Sequence, residues 1–76
     1  MMEQWNSDMD AAPKDGTLVD LWVVFPGEGE GRWADSHWDD KRQDWKGRGG
    51  FVLGQYAAKP YATHWMPPPP PPSHSV

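Results

Sequence analysis

The clearest hydrophobic pattern in the chain lies over residues 17–25. From residue 19 onward every second position is apolar and of a type that favours β-structure, while the positions between them are mixed. A period of two residues over this length predicts a β-strand with one fully buried face and one partly covered face. The predicted buried positions are Val19, Leu21, Val23 and Phe25, and the intervening ones are Leu18, Asp20, Trp22 and Val24.

Shorter segments of the same kind follow this strand. Residues 32–38, a few residues around Trp45, and residues 61–66 predict three further strands, separated by glycine, proline and charged turns. Before the first strand, residues 7–12 predict a helical turn that Pro13 ends. We therefore predict a mainly β fold, a small antiparallel meander or open barrel with a short N-terminal helical turn.

Alternation also assigns the side chains of the later strands to faces, because neighbours on a strand point in opposite directions. It places Trp33 and His37 on one face of the second strand and Trp38 on the other. In the last strand it places Tyr61 and Trp65, with the intervening Thr63, on one face.

The C-terminus carries six consecutive prolines, residues 67–72. Proline lacks the amide hydrogen that a strand needs, so the sheet is expected to end at Met66. We predict a single β-rich domain over residues 1–66 and a proline-rich tail over residues 67–76. Six prolines favour a polyproline II rod about 19 Å long at ~3.1 Å per residue. Such a rod could cap the last strand or serve as a ligand for an aromatic groove in another protein.

A chain of 76 residues has room for one domain. A domain of this size buries only about 60% of the surface that its unfolded chain exposes, so small folds usually need an additional source of stability. Cysteine is absent, which excludes disulfides, but the chain has six tryptophans. We predict that large aromatic side chains compensate for the small core, with self-association as the other candidate.

The net charge of −4 is unevenly distributed along the chain. Residues 1–40 carry ten acids and two bases, whereas residues 41–76 carry one acid and five bases. An acidic chain repels an extended phosphate backbone, so binding to extended nucleic acid is not expected. No apolar run approaches the ~20 residues needed to cross a bilayer, and the N-terminus lacks the features of a signal peptide. We expect a cytosolic protein that does not bind membranes.

The sequence contains no catalytic motif that we can assign. His37, His64 and His74 lie outside any nucleophile or phosphate-loop pattern, and a small core is poorly suited to holding a dry, preorganised pocket. His37 and Asp39 could share a strand face, but without a recognisable metal-ligand spacing. We predict a protein that is not an enzyme and has no metal site or cofactor.

The richest candidate for binding is the segment of residues 41–50, which combines four bases, a tryptophan and three glycines. Cations beside a stacking platform, with glycines that let the backbone approach a ligand, suit an anionic ring compound such as a nucleotide. The alternative is an exposed charged hairpin whose tryptophan folds onto the sheet. The predicted ligand-binding residues are Trp45, Lys41, Arg42, Lys46, Arg48 and Trp38.

Two stretches together resemble a known family. Residues 12–17 read Ala-Pro-Lys-Asp-Gly-Thr before the first strand, and residues 63–67 read Thr-His-Trp-Met-Pro at the end of the last. This chain resembles the short phage and prophage proteins of domain-of-unknown-function family 551 over most of residues 5–70, although Pro68 stands where leucine is usual in that family. The resemblance implies a bacteriophage or prophage origin, hence the host cytoplasm, and it implies no reaction.

From these observations we expect a non-catalytic phage accessory protein that counters host defence by sequestering a small anionic ligand such as a signalling nucleotide. One alternative is a protein–protein inhibitor of a host defence factor, acting through an acidic surface that includes Asp20, Asp35 and Asp39 or through the loop of residues 26–31. Another is a structural or virion-associated module that oligomerises through exposed tryptophans.

Overall fold

The computed structural model describes residues 5–68, which form one antiparallel sheet and two short 3-10 turns. The strands lie in the order β3-β2-β1-β4. The first three form a meander, and the fourth returns to lie beside the first, which is Greek-key order. The predicted mainly β fold is confirmed, while the proline-rich tail beyond Pro68 lies outside the described residues. The strands are β1 (Val19–Phe25), β2 (Gly29–Asp39), β3 (Asp44–Lys46) and β4 (Tyr61–Met66), and the 3-10 turns are Met9–Ala11 and Leu53–Gln55.

The predicted N-terminal helical turn is present as the 3-10 turn Met9–Ala11, capped by the carboxylate of Asp8. The segment before it lies along the outer edge of β4, where Asn6 and Trp65 exchange two backbone hydrogen bonds of 2.8 and 2.9 Å. The Trp65 indole also donates to the carbonyl of Asp8. These contacts cover the edge of β4. No helix among residues 5–68 has the length and apolar character to span a membrane.

The main core lies on one face of the sheet and is centred on β1. Val19, Leu21 and Val23 are at most 1% exposed, as the alternation predicted. The same face receives Trp45 from β3 and Leu53 from the second 3-10 turn. Three further tryptophans pack partly buried around this cluster, namely Trp33, Trp38 and Trp65. Tryptophan therefore supplies much of the volume of a small core, as its abundance predicted.

The other face of β1 contains a charged residue that the sequence assigned to the acidic surface. Asp20 is only 1% exposed, so that assignment is wrong for this residue. Its Oδ2 accepts hydrogen bonds from the Arg32 guanidinium, one of them 2.9 Å from Nε, and its Oδ1 accepts the backbone amide of Asp35 at 3.2 Å. A buried carboxylate needs such partners, since an unpaired charge away from water is very costly.

A bulge in β2 overturns the predicted faces of that strand. Val19 pairs with Ser36 and Leu21 with Trp33, so β2 has one residue more than β1 over this interval. Asp35 lies within the bulge with a positive φ of 54°. The extra residue breaks the alternation, and Trp33 and Trp38 consequently pack on the same core rather than on opposite faces.

A second bulge corrects the predicted faces of β4. Leu21 pairs with Trp65 and Val23 with Ala62, so Thr63 is the additional residue of the bulge. Trp65 and Ala62 face the core, while Tyr61 is more than half exposed. The prediction that Tyr61 and Trp65 share a face is therefore wrong, for the same physical reason as in β2.

We expect Asp20→Ala to lower the free energy of unfolding by about 1.5–3 kcal/mol, the range for hydrogen bonds to charged groups. The change removes the acceptor for both Arg32 and the bulge amide of Asp35. Urea unfolding followed by tryptophan fluorescence measures the loss. The matched control is Glu28→Ala in the exposed turn between β1 and β2, which should stay within ~0.5 kcal/mol of the unaltered protein. Equal effects of the two substitutions would contradict a structural role for Asp20.

Candidate functional site

The two tryptophans of the predicted site pack against each other on the core face of the β2–β3 hairpin. Trp38 and Trp45 are paired across the strands, with ring centroids 5.2 Å apart in an edge-to-face arrangement. Trp45 is only 7% exposed, and the ammonium of Lys14 lies 5.1 Å from the centroid of Trp38 and 5.7 Å from that of Trp45. Trp45 therefore packs in the core rather than offering its ring to a ligand. This is the second of the two alternatives that the sequence left open for this residue.

The predicted cations are not brought to one place. Lys41 and Arg42 lie in the exposed turn between β2 and β3, where their amides donate to the carboxylate of Asp39. Lys46 is at the far end of β3 and its ammonium lies 3.4 Å from the same carboxylate. Arg48 follows β3 on the side away from the turn. Of the four bases, Arg48 alone lines the groove described next.

A groove of about 350 Å³ lies where the segment after β3 crosses β2. Its aromatic walls are Trp33, Phe51 and Tyr56, with Trp33 and Tyr56 edge-to-face at 5.8 Å between centroids and Phe51 and Tyr56 tilted at 6.3 Å. Phe51 is 55% exposed, so its ring offers an open face. The residues lining this groove, which we call the Phe51 groove, are Arg32, Trp33, Ala34, Gly47, Arg48, Gly49, Phe51 and Tyr56.

A glycine-rich turn gives the Phe51 groove its shape. The Gly47 amide donates to the carbonyl of Phe51 and the Gly50 amide to the carbonyl of Gly47, both at 3.0 Å. Gly50 has a φ of 89°, a conformation that side chains disfavour. Gly47 is buried against Trp33, and a Cβ added there would lie 2.7 Å from the indole ring. Glycine is therefore required at position 47 for the loop to approach the aromatic wall.

Arg48 is the more exposed of the two arginines that line the Phe51 groove, the other being Arg32. Its Nε lies 3.8 Å from a carboxylate oxygen of Asp35, and the two side chains are 74% and 43% exposed. Exposed pairs of this kind are worth ~0–1 kcal/mol, so an anionic ligand can replace Asp35 as the partner of Arg48 at little cost.

Sequence reasoning found Arg48 and the glycines of this site but missed its aromatic walls. Trp33 was assigned to a face by simple alternation, which the Asp35 bulge breaks. Phe51 and Tyr56 lie between the predicted strands around Trp45 and over residues 61–66, where the sequence assigned no binding role. One feature of the sequence does indicate an exposed ring at position 51. Phe51 directly follows two glycines, which have no side chains to bury it.

Two of the three histidines, His37 and His64, lie among the described residues, and the sheet holds them apart, while His74 lies outside those residues. His37 of β2 pairs with Lys46 of β3, whereas His64 of β4 pairs with Trp22 of β1. The Nδ1 of His64 lies 2.8 Å from the hydroxyl of Thr63. Within residues 5–68, no three histidine or carboxylate side chains are grouped as a metal site would require.

The carboxylate of Asp39 is the polar centre of the β2–β3 turn. Partial burial opposes its ionisation, but the amide of Arg42, the ammonium of Lys46 and the amide of Lys41 together outweigh that effect. They lower the pKa of Asp39 from its ordinary value of 3.8. The charged turn is therefore stabilised by the ionised form of this residue.

Comparisons with known proteins return no matching family model, curated protein or solved structure. The resemblance to domain-of-unknown-function family 551 stays a prediction that rests on the two sequence stretches alone.

We expect Gly47→Ala to destabilise the protein by about 1–3 kcal/mol, because the added methyl group forces Trp33 or the loop to move. Urea unfolding measures the loss, and the near-ultraviolet circular dichroism of the indole should change with it. Gly49→Ala is the matched control, since a Cβ there makes only an ordinary 3.8 Å contact with Phe51. If both substitutions were neutral, the close approach of Gly47 to Trp33 would not exist in solution.

We expect Asp39→Asn to make the free energy of unfolding depend less steeply on pH under acidic conditions. A lowered folded-state pKa means that ionised Asp39 adds stability above pH 3.8, and that this contribution is lost as the pH falls through the folded pKa. Free energies of unfolding measured from neutral to acidic pH should therefore decline less steeply in the variant. Glu28→Gln controls for the loss of one negative charge. An unchanged slope in Asp39→Asn would show that this carboxylate has no such linkage.

Proposed function

We propose that this protein is a non-catalytic binding module that holds a small anionic ring compound, of the nucleotide class, in the Phe51 groove. As a phage accessory protein, it would counter host defence by sequestering a signalling nucleotide. The single observation that carries the proposal is an exposed aromatic ring and an exposed guanidinium on the same open groove.

The aromatic walls support the ring-binding part of the proposal. Stacking of a base on an aromatic side chain is worth about 1–3 kcal/mol and tolerates any base, because every base has a π-face. Phe51 is backed by Tyr56, which itself contacts Trp33 and Phe25 with centroid distances of 5.8 and 5.6 Å. The exposed ring thus belongs to a packed aromatic cluster, which fixes its orientation before the ligand arrives.

The charges support the anionic part. Arg48 can form two parallel hydrogen bonds to a phosphate, which is the geometry that favours arginine at such sites. Its present partner, Asp35, remains fixed by its backbone amide bond to Asp20 if the carboxylate is displaced. The chain as a whole carries a charge of −4, so a small ligand with few charges is favoured over an extended polyanion.

The dimensions are compatible with a small ligand. The Phe51 groove measures about 350 Å³, at the lower end of the ~300–1,000 Å³ typical of small-molecule sites. A ligand of this size would leave part of its surface in solvent, so we expect recognition of a ring and one phosphate group rather than complete enclosure.

Isothermal titration calorimetry with a panel of mononucleotides and cyclic dinucleotides tests the proposal. At least one member should bind. Arg48→Gln should weaken that binding at least tenfold, because hydrogen bonds to a charged group contribute about 1.5–3 kcal/mol. Phe51→Ala should weaken it by a comparable factor through lost stacking.

Arg42→Gln is the matched control, since Arg42 is an exposed base in the turn beyond the other end of β3. It should leave the affinity unchanged. Absence of binding by every nucleotide, or equal losses in Arg42→Gln and Arg48→Gln, would refute the assigned site. Recovery of one stoichiometric host protein that nucleotides do not displace would instead support the protein–protein alternative.

A further inference from the structure

The outer edge of β2 carries no neighbouring strand over the first half of its length. β2 pairs with β1 along its inner edge from Gly29 to Ser36, whereas β3 covers the outer edge only at His37–Asp39. Within residues 5–68, no strand therefore lies on the outer side of residues 29–34, which we call the β2 edge. Such an edge presents a row of backbone amides and carbonyls to which another strand can pair.

The β2 edge is accessible. Two open grooves border it, the Phe51 groove beside residues 32–34 and a second groove of about 370 Å³ beside residues 28–31. Gly29 and Gly31 face open space, since a Cβ added at either position would meet no atom within 4 Å beyond its chain neighbours. No proline interrupts the edge. A strand from outside the domain can therefore approach it.

The charges on the β2 edge complement those of a second, antiparallel copy. Glu30 and Arg32 lie on the face opposite the main core, where Glu30 accepts the Trp22 indole at 2.7 Å and Arg32 bonds to Asp20 at 2.9 Å. A two-fold axis at Gly31 places Glu30 of each copy directly opposite Arg32 of the other. Opposite charges in this position stabilise a strand pair. An axis at position 30 or 32 would instead place like charges opposite each other, so the charges select the axis at Gly31.

The glycines suit the same register. The axis brings the two Gly31 residues opposite each other and places Gly29 of one copy opposite Trp33 of the other. Because glycine has no side chain, neither residue fills the space beside the Trp33 ring, and the Phe51 groove stays open. Strand pairing then extends over residues 29–33 of each copy.

Other segments of the chain are less suited to the β2 edge. Proline lacks the amide hydrogen that a strand needs, so the six-proline run cannot supply one. Residues 1–4 and 73–76, which lie outside the described residues, contain no lysine or arginine to oppose Glu30. A second copy of β2 supplies both the backbone donors and the complementary charges.

We propose that two copies of this chain form a symmetric dimer in which their β2 edges pair antiparallel about a two-fold axis at Gly31. The two four-stranded sheets become one continuous sheet, and each copy contributes the same surface. A short strand pair buries less than the ~800 Å² per partner of a stable complex, so we expect a weak, concentration-dependent dimer. The dimer goes beyond the proposed nucleotide binding and does not depend on it.

The absence of cysteine allows a direct test with the full-length protein. In the dimer the Cα atoms of the two Gly31 residues are about 4.5–5.5 Å apart, a separation that a disulfide can span. Gly31→Cys should therefore form a disulfide-linked dimer in a glutathione buffer, detected by non-reducing electrophoresis. Glu28→Cys is the matched control and should stay monomeric, because the register separates the two Glu28 residues by about 20 Å. Failure of Gly31→Cys to cross-link, or equal cross-linking of both variants, overturns the proposal.

Sedimentation equilibrium of the unaltered protein provides the second measurement. The average mass should rise toward twice that of one chain at concentrations up to about 1 mM, a range that detects dissociation constants of that order. Glu30→Arg should weaken dimerisation about tenfold, because each introduced arginine faces Arg32 of the second copy. Asp40→Arg makes the same charge change in the exposed turn at the other end of β2 and should leave dimerisation unchanged.

A monomer at every concentration, or equal effects of Glu30→Arg and Asp40→Arg, overturns the proposal. Hydrogen exchange distinguishes the reason. Protected amides along the β2 edge of a monomer would assign the edge to another segment of the same chain.

Discussion

The buried carboxylate of Asp20 is the interaction on which the other features of this structure depend. It accepts the amide of Asp35 and thereby holds the bulge at which β2 gains a residue over β1. Beyond the bulge, Trp38 joins Trp33 on the core face, and Asp35 within the bulge pairs with Arg48 at the Phe51 groove. Through its other oxygen, Asp20 holds Arg32, whose guanidinium lies against Trp5 on the opposite face of the sheet. One side chain in the middle of the sheet therefore influences the position of aromatic residues on both faces.

The small size of the chain explains why aromatic residues occupy both faces. The four-stranded sheet and two 3-10 turns of residues 5–68 provide little chain with which to cover both sides of the sheet. The main core takes one face and includes Trp45 from β3. Within residues 5–68, the N-terminal segment covers part of the other face, where Trp5 packs against Trp22 of β1. Large rings stabilise each side while leaving part of their surface in solvent, and this combination produces open grooves rather than closed pockets.

The sequence predicted the strands well because their signal is local. An alternation of period two and the glycine and proline residues at the turns were enough to locate β1, β3 and β4, and the whole of β2 apart from its ends. The prediction that Trp33 shares a face with His37, and Tyr61 with Trp65, is wrong because a bulge lies between the two residues of each pair. A bulge is determined by contacts between residues far apart in the sequence, such as that between Asp20 and Asp35. The alternation of apolar and polar positions along one strand contains no information about such contacts.

The candidate site shows the same division between local and distant information. Residues 41–48 cluster in the sequence, yet a strand of three residues separates Arg42 from Arg48 and places Trp45 in the core. The aromatic residues that accompany Arg48 come instead from β2 and from the chain after the glycine turn.

Asp35 connects this arrangement to the rest of the fold in two ways. Its carboxylate pairs with Arg48 in solvent, whereas its amide is bonded to Asp20 inside the sheet. An anion that binds Arg48 therefore breaks only the weak, exposed contact between Arg48 and Asp35. The bulge that shapes the Phe51 groove is maintained by the buried hydrogen bond from the Asp35 amide to Asp20.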